Sequence, residues 1–168
     1  MCELTALLHD IADSKFHGGD EEIGPRVAGD FLESIDVDPQ TIQHVKNIIA
    51  NMSFKASLGN VIFHSKEFEI VQDADRLDAI GAIGIARAFN YGGYKNREIY
   101  NPDIPVVQNQ SKQAYKNTTA PTINHFYEKL LLLKDKMNTP TAKKIAQSRH
   151  QYMESFLQQF YGEWNGQR

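Results

Sequence analysis

Apolar residues recur at helical spacing in six stretches of the chain, separated by turns rich in glycine, asparagine and proline. The first, LTALLHDIADSKF over residues 4–16, predicts a helix that carries His9 and Asp10 directly behind Leu4, Ala6, Leu7 and Leu8, where burial is expected. After the turn HGGD, Asp20 caps a second helix with Glu21 and Glu22 in its first turn, running to about residue 35. Asp38 followed by Pro39 opens a third, with the stripe Ile42, Val45, Ile48 and Ile49 and an end near Asn51. Residues 53–66 show no period and read as a loop. The stretch 66–91 predicts the longest helix, apolar almost all round, in which Gly81 and Gly84 mark a close approach of another helix. Residues 92–119 form one long connection. Pro121 opens a fifth helix to about residue 137, with Phe126, Leu130 and Leu133 on one stripe. Thr139 and Pro140 cap a sixth, to about residue 164. The pattern predicts an all-α fold, a compact bundle of about six helices forming a single domain over residues 1–168.

Composition narrows the function. A length of 168 residues with 41% hydrophobic and 23% charged side chains is that of one domain with one core, and a net charge of -3 offers no general attraction for a polyanion. No nucleic acid polymer is expected as a partner. The lone Cys2 cannot form an internal disulfide. No apolar run approaches the ~20 residues of a membrane span, and Glu3 stands where a leader would be basic, so a soluble, cytoplasmic protein without membrane contact is expected. The apolar pattern begins within a few residues of Met1 without a capping residue, which reads as a domain entered at its first helices.

Several positions attract chemistry, each with a structural competitor. His9 with Asp10 suits a divalent metal; the competitor is a helix end whose imidazole bonds a carbonyl. Asp73 falls on a stripe with Arg76, Ile80, Ile83 and Arg87, where an ion pair is the ordinary explanation. Asp75 and Asp78 share the apolar stripe of Val71, Ala82, Ile85 and Phe89, and a metal ligand is a natural reason for a carboxylate there. Asp13, three residues beyond Asp10, is placed to manage a proton, and Lys15 to neutralise a phosphate; both also read as solvated residues at a helix end. Arg149 lies on the stripe of Ala142, Ile145, Ala146, Met153, Phe156 and Phe160, so it pairs with an interior carboxylate or reaches an anionic ligand. Tyr91, Tyr94 and Tyr100 around Gly92 and Gly93 suit either a lid that stacks on a base or a helix end with packed tyrosines.

The runs LLHDIADSKF and VQDADRLDAIGAIGIARAF, followed by INHFYEKLLLLKDKMNT and AKKIAQSRHQYMESFLQQFYGEW, resemble the HD-domain superfamily of metal-dependent phosphohydrolases. The stand-alone bacterial branch containing nucleoside-triphosphate pyrophosphohydrolases is the most similar. The resemblance implies that His9 and Asp10 are the central ligand pair, Asp75 the last ligand and Asp13 the acidic residue that assists the attacking water or the leaving group. It implies a substrate-phosphate contact for Arg76; Lys15, Lys55 and Arg149 join it by charge and position. It further implies one divalent ion among Mn, Co, Ni, Fe, Zn and Mg, and a phosphorylated small molecule, a nucleotide, as substrate, with a homodimer as the assembly to be tested. Cleavage of a nucleoside triphosphate to monophosphate and pyrophosphate is expected first, nucleotide phosphomonoester hydrolysis second. The superfamily's first histidine ligand has no counterpart among the eight residues before His9. A chain lacking that N-terminal helix is therefore expected, and with it a third reading, a catalytically impaired nucleotide-binding or scaffold protein.

Overall fold

The computed structural model describes residues 1–53, 63–108 and 118–167, and among them the regular structure is helical throughout, with seven α-helices and no strand. These are α1 (Cys2–Leu8), α2 (Ile23–Ser34), α3 (Pro39–Asn51), α4 (Lys66–Asp78), α5 (Gly81–Tyr94), α6 (Thr122–Glu128) and α7 (Pro140–Trp164), with 3-10 turns at Ser14–Phe16 and Leu130–Lys136. The all-α expectation holds. The chain divides into two compact units, Met1–Gln72 and Asp73–Arg168.

In the first unit α3 is the shared wall. Its Ile42, Val45 and Ile49 close one cluster with Leu8, Ala28 and Leu32, while Ile48 and Met52 close another with Phe68 and Val71. That division is what a 3.6-residue period does to a helix with apolar residues at spacings of three and four. The entry to α3 follows local chemistry: the Asp38 carboxylate accepts the Thr41 N–H at 2.9 Å, with Pro39 at the first position. Asp20 accepts the Glu22 N–H at 2.9 Å, but α2 begins only at Ile23. The exit from α2 is made by Asp36 in the left-handed region, φ 56°, with Val37 N–H on the Leu32 carbonyl and Asp36 N–H on the Glu33 carbonyl.

The second unit is built on aromatic packing. Phe126 stacks on Phe156 at 5.9 Å and Phe89 meets both, while Ile123, Leu133, Met153 and Leu157 are among the buried residues of the unit. A second aromatic group at the far end of α7 gathers Tyr100, Phe160, Tyr161 and Trp164. The Asn124 amide ties the chain at Ile104 and Pro105 to α6 through their carbonyls, at 3.1 and 3.3 Å.

Three further helices differ from the periodic pattern. The first ends at Leu8 rather than residue 16, because Asp10, Asp13 and Ser14 favour turns over helix interiors. The stretch 66–91 is broken after Asp78: Ile80 is extended, φ -126° and ψ 167°, and Gly81 is left-handed, φ +76°. Gly84 is required by that break, since a Cβ there would lie 2.2 Å from the Ala79 carbonyl oxygen. Gly81 serves both the turn and a close approach, since its missing Cβ leaves room for the Arg149 stem of α7, whereas Gly84 serves the turn. The fifth helix stops at Glu128, where Lys129 leaves helical geometry at φ -141°, and a 3-10 turn takes over.

Candidate functional site

The His9–Asp10 pair sits at the exit of α1, with His9 as its C-cap residue. The pair is not buried as its apolar neighbours suggested: of Leu4, Ala6, Leu7 and Leu8 only Leu8 is enclosed, Leu7 is 81% exposed, and the Asp10 side chain is 65% exposed against 24% for His9. His9 Nδ1 lies 2.8 Å from the Ala6 carbonyl. A carbonyl only accepts, so Nδ1 carries a proton, and in the neutral imidazole, the form that binds a metal, the lone pair is on Nε2. That nitrogen is 3.5 Å from Asp10 Oδ2. Two donors bound to one ion at about 2.1 Å are separated by about 3.0–3.5 Å at octahedral to tetrahedral angles, so the pair fits a single metal. A backbone bond on the other ring nitrogen is the usual support of a ligating histidine. The helix-end reading and the metal-ligand reading thus share one geometry.

Asp13 is half-buried, in the turn after α1, so the helical projection that set it beside Asp10 does not apply. Its carbonyl accepts the Phe16 N–H at 3.0 Å. The side chain of Lys15 and the whole of Lys55 lie outside the described residues.

The acidic positions of α4 are ordered differently from the stripe argument. Asp73 is the buried one, at 3% exposure, and is held by hydrogen bonds rather than an ion pair: its oxygens accept Asn138 N–H and Thr139 N–H at 2.8 Å each and the Asn138 amide at 3.1 Å. Asp75 is half-buried. Asp78 is exposed and pairs with Arg87. The projection failed because it ran through the break at Ile80 and Gly81.

Arg76 is buried and donates to the Lys136 carbonyl. Burial pulls its pKa below the ordinary arginine value while the charges of Asp73 and Asp75 push it back up. Arg149 donates to the Leu77 carbonyl, near the end of α4, and its stem packs where a Cβ on Gly81 would fall. A backbone carbonyl accepts from it where the sequence offered either an interior carboxylate or an anionic ligand. Of the three tyrosines, Tyr100 belongs to the Phe160–Tyr161–Trp164 group, whereas Tyr91 and Tyr94 stay together at 6.3 Å. Sequence reasoning anticipated a carbonyl partner for His9 but missed the carbonyls that orient Arg76 and Arg149. The lysine and arginine that flank the left-handed Asn96 beyond α5 were also missed, although K-N-R after a helical stripe is a legible exit signal.

Among the described residues no three His, Cys, Asp or Glu side chains gather in a set that could hold a metal ion, and no helix is long and apolar enough to cross a membrane.

The all-α fold and the His-Asp pair define a class, and known proteins identify it. No protein-family model matches the chain. The YpgQ protein of Bacillus subtilis strain 168 is 38% identical over 159 residues, which span 94% of this chain and 69% of that one. Among solved structures, an HD-superfamily hydrolase from Bacillus thuringiensis shares 48% identity at a TM-score of 0.67, covering 98% of this chain and 73% of its own. The chain belongs to the HD superfamily of metal-dependent phosphohydrolases, with stand-alone bacterial members as its relatives. B. subtilis YpgQ has also been solved in complex with ADP; that structure is 29% identical with a TM-score of 0.62, covering 99% of this chain and 89% of its own.

Proposed function

We propose that this chain hydrolyses a nucleoside triphosphate to the monophosphate and pyrophosphate, with one divalent ion held by His9, Asp10 and Asp75. The observation that carries the reading is the geometry of the His9–Asp10 pair: Nδ1 rests on the Ala6 carbonyl at 2.8 Å, and Nε2 stands 3.5 Å from the Asp10 carboxylate, a separation one ion spans. The ADP complex of YpgQ supports a nucleotide as the ligand class. Asp75 enters as the third ligand on the order of the motifs in the sequence. A Mn, Co, Ni, Fe, Zn or Mg ion bound there supplies Lewis acidity and makes hydroxide available near neutral pH. Asp10 balances the ion's charge, and Asp13 takes the proton of the attacking water and returns it to the leaving group. Lys15, Lys55, Arg76 and Arg149 supply the cationic charge that phosphate requires; each arginine is steadied by one nitrogen on a backbone carbonyl.

The test is hydrolysis of the common nucleoside triphosphates with Mn or Co added, separating pyrophosphate from orthophosphate among the products. Pyrophosphate release that His9→Ala reduces by about 100-fold or more is the expected result. Metal binding without cleavage, or orthophosphate as the product, overturns the pyrophosphohydrolase reading. A second reading, a nucleotide-binding protein without turnover, is favoured by the absence of a three-ligand group among the described residues. Nucleotide retention with no product under any added metal would establish it.

A further inference from the structure

The exit of α5 collects groups that its packing does not explain. Asn96 is left-handed at φ 53°, with Asn96 N–H on the Gly93 carbonyl and Arg97 N–H on the Gly92 carbonyl at 3.0 and 2.9 Å. This turn folds the chain back on the helix, so that Lys95 and Arg97 both return to the tyrosines. Lys95 Nζ is 5.1 Å from the Tyr94 ring centre and 5.8 Å from that of Tyr91, and the Arg97 guanidinium is 5.8 Å from Tyr91. Arg97 is held in place by donating to the Thr118 carbonyl at 2.8 Å. Gly93, beside Tyr94, has open space where a Cβ would be.

Tyr94 itself is 68% exposed, so most of its ring is turned to solvent rather than into a core. The surroundings are positive. Burial, and after it the charges of Lys129 and Arg97, push His125 down to about 3, so it stays neutral. The nearby carboxylate, Glu98, is engaged by the Asn101 amide at 2.9 Å. Tyr94 offers an accessible ring with Lys95 over it, and Arg97 lies over the neighbouring Tyr91; exposed aromatic surface with cations beside it is the arrangement that takes a base by stacking and its phosphates by charge. Two cations and one open ring match a single nucleotide, and the net charge of -3 opposes a polymer.

We infer that the C-terminal turn of α5 grips a nucleotide, with the base stacked on Tyr94 and the phosphates held by Lys95 and Arg97; this rests on the nucleotide reading above and names residues for it. Calorimetric titration of the full chain in EDTA, where no turnover occurs, tests it with ADP and inorganic pyrophosphate as separate probes. Tyr94→Ala weakens ADP about tenfold or more and leaves pyrophosphate unchanged, and Tyr94→Phe, which keeps the ring, binds ADP within about twofold of the parent. Lys95→Met weakens both probes. ADP affinity unchanged in Tyr94→Ala, equal losses of both probes in that variant, or a short oligothymidylate bound more tightly than ADP overturns the inference. Running His9→Ala alongside separates the two readings. If the parent does not hydrolyse nucleotides yet the Tyr94 dependence appears, the grip stands and catalysis falls. If the parent hydrolyses nucleotides but Tyr94→Ala binds ADP normally, the grip falls alone.

Discussion

Asp73 is the position at which substitution is expected to be most informative about the second unit. Its carboxylate is buried and accepts three hydrogen bonds, two from the backbone at Asn138 and Thr139 and one from the Asn138 amide, at 2.8, 2.8 and 3.1 Å. Thr139 in turn caps α7, its side-chain oxygen accepting the Ala142 N–H at 3.3 Å. Asp73→Asn keeps shape and volume, but whichever way the amide turns, an N–H group faces an N–H. One charge-assisted bond is lost and one buried donor is stranded, which costs about 2–3 kcal/mol. Asp73→Ala strands all of the donors and costs about 3–5 kcal/mol. Urea unfolding followed by far-UV circular dichroism and by Trp164 fluorescence measures both. With a slope of about 1–3 kcal/mol per molar, the midpoint should fall by about 0.7–3 M for Asp73→Asn, and further for Asp73→Ala, with the slope unchanged. A loss below about 1 kcal/mol in Asp73→Ala would refute the argument, because the buried N–H groups would then have found water or other acceptors.

Gly81→Ala should destabilise by about 1–2 kcal/mol, since φ +76° disfavours a Cβ that would also lie 3.0 Å from Arg149 Cγ; Gly93→Ala, helical and with open space around it, should be neutral or slightly stabilising in the same thermal melts. His125 is held neutral with its pKa below the unfolded value of 6.5, at about 3, so its contribution is complete above pH 6.5 and declines as pH falls from 6.5 toward 3. His125→Gln should therefore flatten the pH dependence of stability in that window, and an unchanged slope would count against the desolvation account. The Thr41 hydrogen bonds hold Asp38 below its ordinary pKa of 3.8, so the cap persists above that pH and is lost as pH falls through the lower folded value. Asp38→Ala should lower the melting temperature at pH 7, and the difference from the parent should shrink as pH drops below 3.8.

The features legible in the sequence were those decided within a few residues. Asp38-Pro39 and Thr139-Pro140 announced the starts of α3 and α7 because a cap is a local hydrogen bond. The His-Asp pair and its carbonyl-bonded imidazole were legible for the same reason. What was hidden depended on contacts across the chain. Asp73 finds its donors 65 and 66 residues away, and Arg149 finds its carbonyl 72 residues away, so no helical projection could have assigned them. The break at Ile80 was hidden because glycine in an apolar helix is ambiguous: the same residue serves a close helix approach, a left-handed turn or, as at Gly81, both, and only the backbone angle reveals the turn.

A seven-residue helix such as α1 is too short to hold itself wound in water, and its persistence depends on Thr5 and Leu8 being enclosed. Since the Ala6 carbonyl that fixes the His9 ring belongs to this helix, unwinding α1 also releases the imidazole. If Nε2 takes a ligand as proposed, local folding and its capture become a single coupled equilibrium. A divalent ion that binds there should slow amide exchange at Thr5 and His9, whose N–H groups bond the Met1 and Thr5 carbonyls, and do so even where no substrate is turned over.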